Sequence, residues 1–70
     1  MPITLANPGD VVKIVRVTGN EKVRQHLAEL GFVENGEITV INKIGKNMIL
    51  KVKESRVALD VSMAQRIMIG

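Results

Sequence analysis

The stretch from Glu21 to Ile41 constrains the fold most, because it joins a helical pattern to a strand pattern through two glycines. Three apolar residues, Val23, Leu27 and Leu30, recur at positions i, i+4 and i+7. This spacing places them on one face of an α-helix. The pattern therefore predicts a short amphipathic helix over about residues 21–30.

A glycine directly after the last apolar position is expected to end this helix. Helices often finish with a left-handed residue, a conformation that Gly31 adopts without a Cβ clash. Phe32 follows at the position that often packs back on the last helical turn. Asn35-Gly36 then predicts a tight turn, after which residues 37–40 alternate between polar and apolar as a strand does.

A hairpin is predicted next, with strands over residues 37–44 and 48–53 and a three-residue loop at Gly45-Lys46-Asn47. In that register Ile44 faces Met48 and Val40 faces Val52. One hairpin face is apolar and is assigned to the core: Ile38, Val40, Ile44, Met48, Leu50 and Val52. The other face is mixed and suits either a partner contact or a curved hairpin that other strands partly cover: Thr39, Ile41, Lys43, Ile49, Lys51 and Lys53.

The remaining predicted elements are also short. The β-branched run Val11–Val17 predicts a strand, but apolar residues occur on both of its faces, which either a bulge or burial on both sides would explain. Asp60 is expected to cap one helical turn near residues 61–64. Three more short strands are placed at residues 4–5, 57–59 and 66–69.

These elements predict one mainly β domain over residues 1–70, with five to six short strands. A sheet this small covers its edges best by curling into a barrel. No run of about 18 apolar residues and no signal-peptide pattern occurs, and there is no cysteine. A location in the cytoplasm, without embedding in the membrane, is therefore expected.

Charge and aromatic content limit the classes of partner. The net charge of +3 comes from the second half, mostly between Lys43 and Arg56. Such a cluster favours an acidic partner, an anionic membrane surface or nucleic acid, or is simply a solvated face. Phe32 is the only aromatic residue, so a base-stacking platform or a groove for proline-rich peptides is excluded.

No arrangement of reactive groups points to catalysis. His26 is the only histidine and has no cysteine beside it to share a zinc ion. The carboxylates are scattered, and Ser55 and Ser62 have no adjacent base. The glycines do not form a phosphate-binding loop, and the methionines at 48, 63 and 68 are interpreted as core filler. The chain is expected to be no enzyme and to carry no cofactor.

The order of short motifs along the chain is similar to that of a known family. The matching residues are Leu5 with Pro8-Gly9-Asp10, Ile14, Leu30-Gly31-Phe32, Gly36 with Ile38 and Val40, and Val57-Ala58-Leu59-Asp60 through Ala64 and Ile67. Together they resemble the FeoA family of ferrous-iron transport accessory proteins. Two departures are Asn35-Gly36, where similar proteins often have Pro-Gly, and the brief loop at 45–47, where they tend to have a longer one.

The resemblance implies an SH3-like β-barrel that assists FeoB, a membrane ferrous-iron transporter with a cytoplasmic GTPase domain. A monomer or weak homodimer is expected, which binds no nucleic acid and binds divalent metal weakly or not at all. The same barrel resembles the C-terminal domain of iron-dependent repressors of the DtxR type. A metal-responsive regulatory or dimerisation module is therefore one alternative function, and a small basic nucleic-acid-binding barrel is another.

Three surfaces are predicted to contact the partner. The first is the polar face of the helix, the second is the corner that follows it, and the third is the mixed face of the hairpin. Leu30 and Phe32 at the corner are also expected to pack in the core. The predicted residues are Lys22, Arg24 and Gln25 on the helix, Leu30, Gly31 and Phe32 at the corner, and Ile41, Ile49 and Lys51 on the hairpin.

Overall fold

The computed structural model describes residues 1–70 and confirms a mainly β fold with a helix after the first strand. No helix is long and apolar enough to cross a bilayer. A 3-10 turn at Ile3–Leu5 precedes the first strand. The strands and helices are β1 (Val11–Val17), α1 (Glu21–Glu29), β2 (Glu37–Ile44), β3 (Asn47–Val52), β4 (Ser55–Asp60), α2 (Val61–Ala64) and β5 (Ile67–Ile69).

The five strands form one antiparallel sheet in the order β4-β3-β2-β1-β5. The sheet curls around a single core of 14 buried residues, all of them hydrophobic. The N-terminus closes the β5 side, since the Ile69 N–H donates to the Met1 carbonyl at 2.7 Å and Pro2 forms a bridge with Met68. The β4 side of the sheet has no such neighbour.

Helix α1 is delimited by local chemistry, as its sequence predicts. The Asn20 side chain accepts a hydrogen bond from the Val23 N–H at 2.9 Å, which caps the first turn. At the other end Gly31 has a φ of 105°. Its N–H donates to the Ala28 carbonyl and the Phe32 N–H donates to the Leu27 carbonyl, both at 3.0 Å. This pair of bonds is the Schellman helix stop, in which the side chain after the glycine packs back on the helix.

A bulge explains why β1 has apolar residues on both faces. Val12 and Ile14 point towards the core before it, and Val17 is half-buried after it. The pairing with β5 shifts between Ile14 and Arg16, so one extra residue reverses the alternation. Of the two explanations offered by the sequence, the bulge is the right one.

The predicted hairpin register is wrong along its whole length. The turn has two residues rather than three, because Gly45 adopts a φ of 59° and Ile44 pairs with Asn47. A bulge between Val40 and Asn42 then shifts the register once more, so that Val40 pairs with Leu50 and not with Val52 as predicted. As a result Ile44 turns away from the core and is 58% exposed, although the other five residues assigned to the core face are buried.

Two shorter predictions also need correction. Thr4 and Leu5 belong to the 3-10 turn and not to an edge strand, and the turn places Ile3 in the core with no exposed surface. Strand β4 starts at Ser55, earlier than predicted, because Lys53 takes a φ of 55° and completes the turn within Lys53-Glu54. Left-handed conformations of this kind at a non-glycine residue are not evident from sequence.

The cap of α2 makes the carboxyl group of Asp60 sensitive to pH. The Met63 N–H and the Ser62 hydroxyl both donate to Asp60 Oδ1 at 2.8 Å. Both bonds lower the pKa of Asp60 from its ordinary value of 3.8. The bond from the Met63 N–H has the larger effect and the bond from the Ser62 hydroxyl the smaller one. Because the folded pKa is the lower one, the carboxylate stabilises the fold fully above the unfolded pKa, and this contribution is lost as pH falls through the folded pKa.

We expect a carboxyl-carbon NMR titration to place the pKa of Asp60 below 3.8 in the folded domain. The variant Ser62→Ala removes one donor and keeps the backbone donor of Met63, so it should raise the pKa part of the way back. A pKa in Ser62→Ala equal to that of the unmodified domain would contradict a role for the hydroxyl.

Candidate partner-contact surface

The side of the sheet that faces away from the core forms one continuous surface across β1 to β4, here called the outer face. Thr39 pairs with Val11 on one side and with Lys51 on the other, and Lys51 pairs with Arg56. Alternation puts these side chains opposite buried neighbours such as Leu50. The outer face consists of Val11, Lys13, Glu37, Thr39, Asn42, Ile44, Asn47, Ile49, Lys51, Arg56, Ala58 and Asp60.

The predicted hairpin residues lie on or beside this face. Ile49 is half-buried between Asn42 and Ala58, Ile41 is half-buried at the bulge, and Lys51 is exposed. Sequence reasoning missed Val11 and Ile44, each 58% exposed. Reading Gly45-Lys46 as a two-residue turn would have found Ile44. The outer face therefore carries more apolar surface than predicted.

Lys43 does not belong to the outer face, contrary to the prediction. It pairs with Met48, whose side chain is buried, so Lys43 lies on the core side at the sheet margin. Its ammonium group donates to the Thr4 carbonyl at 2.9 Å, which ties the hairpin tip to the N-terminal turn. The bulge in β2 is the cause, because it exchanges the faces of the residues that follow it.

A cleft of about 370 Å³ opens on the outer face between β2 and β3. Glu37, Thr39, Lys51 and Lys53 line it. These side chains offer two ammonium groups, one carboxylate and one hydroxyl, all suited to hydrogen bonding with a polar partner. The arrangement resembles the polar part of a protein contact surface next to the apolar patch of Ile41 and Ile49.

The polar face of α1 is a separate surface. Lys22, Arg24 and Gln25 are exposed, as predicted for a helix face away from the core. A shallower cleft of about 260 Å³ lies there and is lined by Lys22, Gln25, His26 and Glu29. It shares no residue with the cleft on the outer face. Nowhere in the chain do three histidine, cysteine, aspartate or glutamate side chains come together.

The corner after α1 is mainly structural. The Phe32 side chain is 1% exposed and lies in the core, so burial removes it from any accessible surface. Leu30 and Gly31 are half-buried, and Leu30 packs against the core cluster. The corner packs closely against the end of β3, since a Cβ atom at Gly31 would lie only 3.0 Å from Cγ2 of Val52.

Comparison with known proteins identifies the family. The model of the FeoA domain matches residues 1–70, the whole chain. The chain belongs to the FeoA family. FeoA domains are accessory, non-catalytic domains with a role in ferrous iron transport. A search of curated protein sequences gave no match.

Solved structures support the same assignment. An iron uptake regulatory protein (FeoA) is 27% identical, with a TM-score of 0.91, and the match covers 99% of this chain and 93% of that one. FeoA of Stenotrophomonas maltophilia, solved with zinc and described as an SH3-domain protein proposed to activate ferrous iron transport, is 25% identical with a TM-score of 0.88. The match covers 100% of this chain and 89% of that one. The SH3-like fold is thereby confirmed.

The same fold occurs in a metal-dependent repressor. A manganese-dependent transcriptional repressor matches with a TM-score of 0.87 at 16% identity, over 96% of this chain but only 39% of the repressor. At that identity the likeness concerns the fold alone. The resemblance to repressor domains noted in the sequence is therefore a shared architecture.

Proposed function

We propose that this FeoA domain is a non-enzymatic accessory module that works in the cytoplasm and docks on the cytoplasmic part of a FeoB-type ferrous iron transporter. It modulates iron uptake through this contact and holds no metal of its own, or holds it weakly. Family membership supports the link to iron transport. The partner and the docking surface are inferred from the chemistry of the outer face.

One observation carries the choice of surface: the outer face combines exposed apolar groups with a charged cleft. Ile44 is 58% exposed and Ile49 is half-buried, so both keep apolar area in contact with water. Lys51 lies on the same face of β3 as Ile49, two residues along the strand, and lines the cleft together with Lys53. Removing such apolar area from water stabilises a complex by roughly 25 cal/mol per Å². Positive charges at the rim favour an acidic partner and increase the rate of association.

The helix face is less suited to tight binding. Lys22, Arg24 and Gln25 are long, exposed polar side chains, and α1 carries no exposed large hydrophobic residue, whereas the outer face has Val11 and Ile44. Exposed ion pairs contribute little to affinity because water and salt screen them. We therefore infer that the outer face provides the main contact, with the helix face as a secondary one.

We expect NMR titration of the ¹⁵N-labelled domain with the cytoplasmic region of a transporter from the same organism to shift signals of β2 and β3. The variant Ile49→Glu should weaken this binding by about tenfold or more, because it places a charge in the apolar centre of the contact. Circular dichroism checks that the variant is folded.

A matched variant separates the two predicted surfaces. Lys22→Glu introduces the same carboxylate on the helix face and should change the affinity by only about twofold. If Lys22→Glu abolishes binding and Ile49→Glu does not, the helix face is the docking surface. If no signal shifts at a high concentration of the transporter region, the proposed docking itself is wrong.

A further inference from the structure

Strand β4 is the open edge of the sheet, and its backbone groups show which atoms are free. The Val61 N–H donates to the Lys46 carbonyl at 2.8 Å, in the same register that pairs β4 with β3. Antiparallel strands alternate hydrogen-bonded and non-hydrogen-bonded pairs. Residues 55, 57 and 59 therefore bond to β3. Residues 56 and 58 direct their N–H and C=O groups away from the sheet, and residue 60 directs its N–H there, while its C=O accepts the first hydrogen bond of α2.

These outward groups are accessible. Arg56, Ala58 and Asp60 are exposed, and the backbones of Arg56 and Ala58 make no hydrogen bond to a side chain or a loop. At the opposite edge, the N-terminal residues already cover β5. An exposed row of unpaired backbone groups is a template for another strand.

We propose that the free edge of β4 pairs with β4 of a second copy of this chain, antiparallel about a two-fold axis at Ala58. This pairing places Arg56 opposite Asp60 of the second copy, and Asp60 opposite Arg56 of the second copy. The two Ala58 residues exchange their N–H···O=C bonds at the axis. The result is an isologous dimer whose two sheets join edge to edge.

The charges of the strand select this register. An axis at Arg56 would oppose two guanidinium groups, and an axis at Asp60 would oppose two carboxylates. Like charges directly opposite each other destabilise a pair of strands, whereas opposite charges stabilise it. With the axis at Ala58, Arg56 and Asp60 of opposite charge face each other in both pairs, and the uncharged methyl groups of the two Ala58 residues are neighbours.

Two features within one copy favour the pairing of Arg56 with Asp60 of a second copy. Lys51 lies directly opposite Arg56 in the β3–β4 pairing, so two positive side chains are neighbours on the outer face. Asp60 uses Oδ1 for the cap of α2, which leaves Oδ2 free. The hydrogen bonds that cap α2 also keep the pKa of Asp60 low, so the carboxylate is charged at neutral pH. In the dimer that carboxylate would reach the Lys51–Arg56 pair.

Sedimentation velocity and NMR of the full chain between about 50 μM and 1 mM test the dimer, because an interface of one strand pair is expected to be weak. We expect the sedimentation coefficient to rise with concentration. Amide signals of residues 56, 58 and 60 should shift and gain protection from hydrogen exchange, and those of residues 55, 57 and 59 should not change their protection.

Two variants with one control address the two parts of the interface. Arg56→Glu places a glutamate opposite Asp60 of the second copy and should weaken dimerisation by about tenfold or more. Lys53→Glu changes the net charge by the same amount but lies outside the strand pairing, so it should change the dimer affinity by no more than about twofold. Ala58→Pro removes the N–H that would bond across the two-fold axis, so it should abolish dimerisation. The pairing with β3 does not use this N–H. Thermal melting checks that Ala58→Pro is folded.

Several results would overturn the proposal. One is a monomer at the highest concentration, and another is equal weakening by Arg56→Glu and Lys53→Glu, which would reflect net charge alone. A dimer that persists in folded Ala58→Pro would place the interface elsewhere. If the β4 amides respond only to the cytoplasmic region of the transporter, the edge accepts that partner and not a second copy.

Discussion

Replacing Phe32 with alanine is expected to cause a large loss of stability. The side chain is 1% exposed and is the largest one in the core, and trimming a buried phenylalanine costs roughly 3–5 kcal/mol. A domain of 70 residues has a total stability of about 4–10 kcal/mol. Phe32→Ala should therefore remove about half of the free energy of unfolding or more. Urea denaturation followed by circular dichroism measures the loss.

The neighbouring residue provides the control. Val33 is 43% exposed and next in sequence, so Val33→Ala should lower the free energy of unfolding by less than about 1 kcal/mol. A Phe32→Ala variant as stable as Val33→Ala would show that the aromatic ring does not hold the core. The comparison also bears on the predicted contact role of Phe32, since a core residue affects partner binding only through folding.

Replacing Gly31 with alanine is expected to destabilise the domain for two separate reasons. The φ of 105° is strained for any residue with a Cβ atom, at a cost of roughly 1–2 kcal/mol. The added Cβ would also lie 3.0 Å from Cγ2 of Val52, whose side chain is buried in β3. Overpacking of this kind costs about 1–3 kcal/mol, so the total loss of unfolding free energy should be about 2–5 kcal/mol.

Gly9 separates strain from overpacking. Its φ of 93° is similar, but a Cβ there would meet nothing within 4 Å. Gly9→Ala should therefore show the backbone strain alone, and the difference between the two variants in urea denaturation should give the cost of the Val52 contact. Equal losses in both would mean that Val52 moves aside without cost, and an unchanged stability of Gly31→Ala would contradict the helix stop.

The free edge of β4 borders the outer face, so a dimer formed at this edge would affect how the outer face contacts a partner. Ile49 pairs with Ala58 on the outer face. A dimer about Ala58 would place the two outer faces next to each other, so that one contact surface continues into the other. A two-fold symmetric partner that contacts both outer faces would then gain from bivalent binding.

Local patterns in the sequence determined the two helices and their ends. The Asn20 cap, the helix over residues 21–29, the Gly31 stop and the Asp60 cap all depend on residues within one helical turn of each other. Short-range hydrogen bonds and backbone preferences decide such features, so the sequence was sufficient. The motif order along the chain was likewise enough to indicate the FeoA family, which the family model confirms.

Tertiary structure decided where the strands bulge, and therefore which side of the sheet the residues beyond each bulge face. The bulges in β1 and β2 each move a residue across the sheet, and they follow from how distant strands fit around the core. The bulge in β2 turned Ile44 out to solvent and Lys43 towards Thr4. The free edge of β4 also follows from strand order, which no local pattern encodes. A contact surface depends on registers between remote segments, and the packing of the whole chain sets these registers.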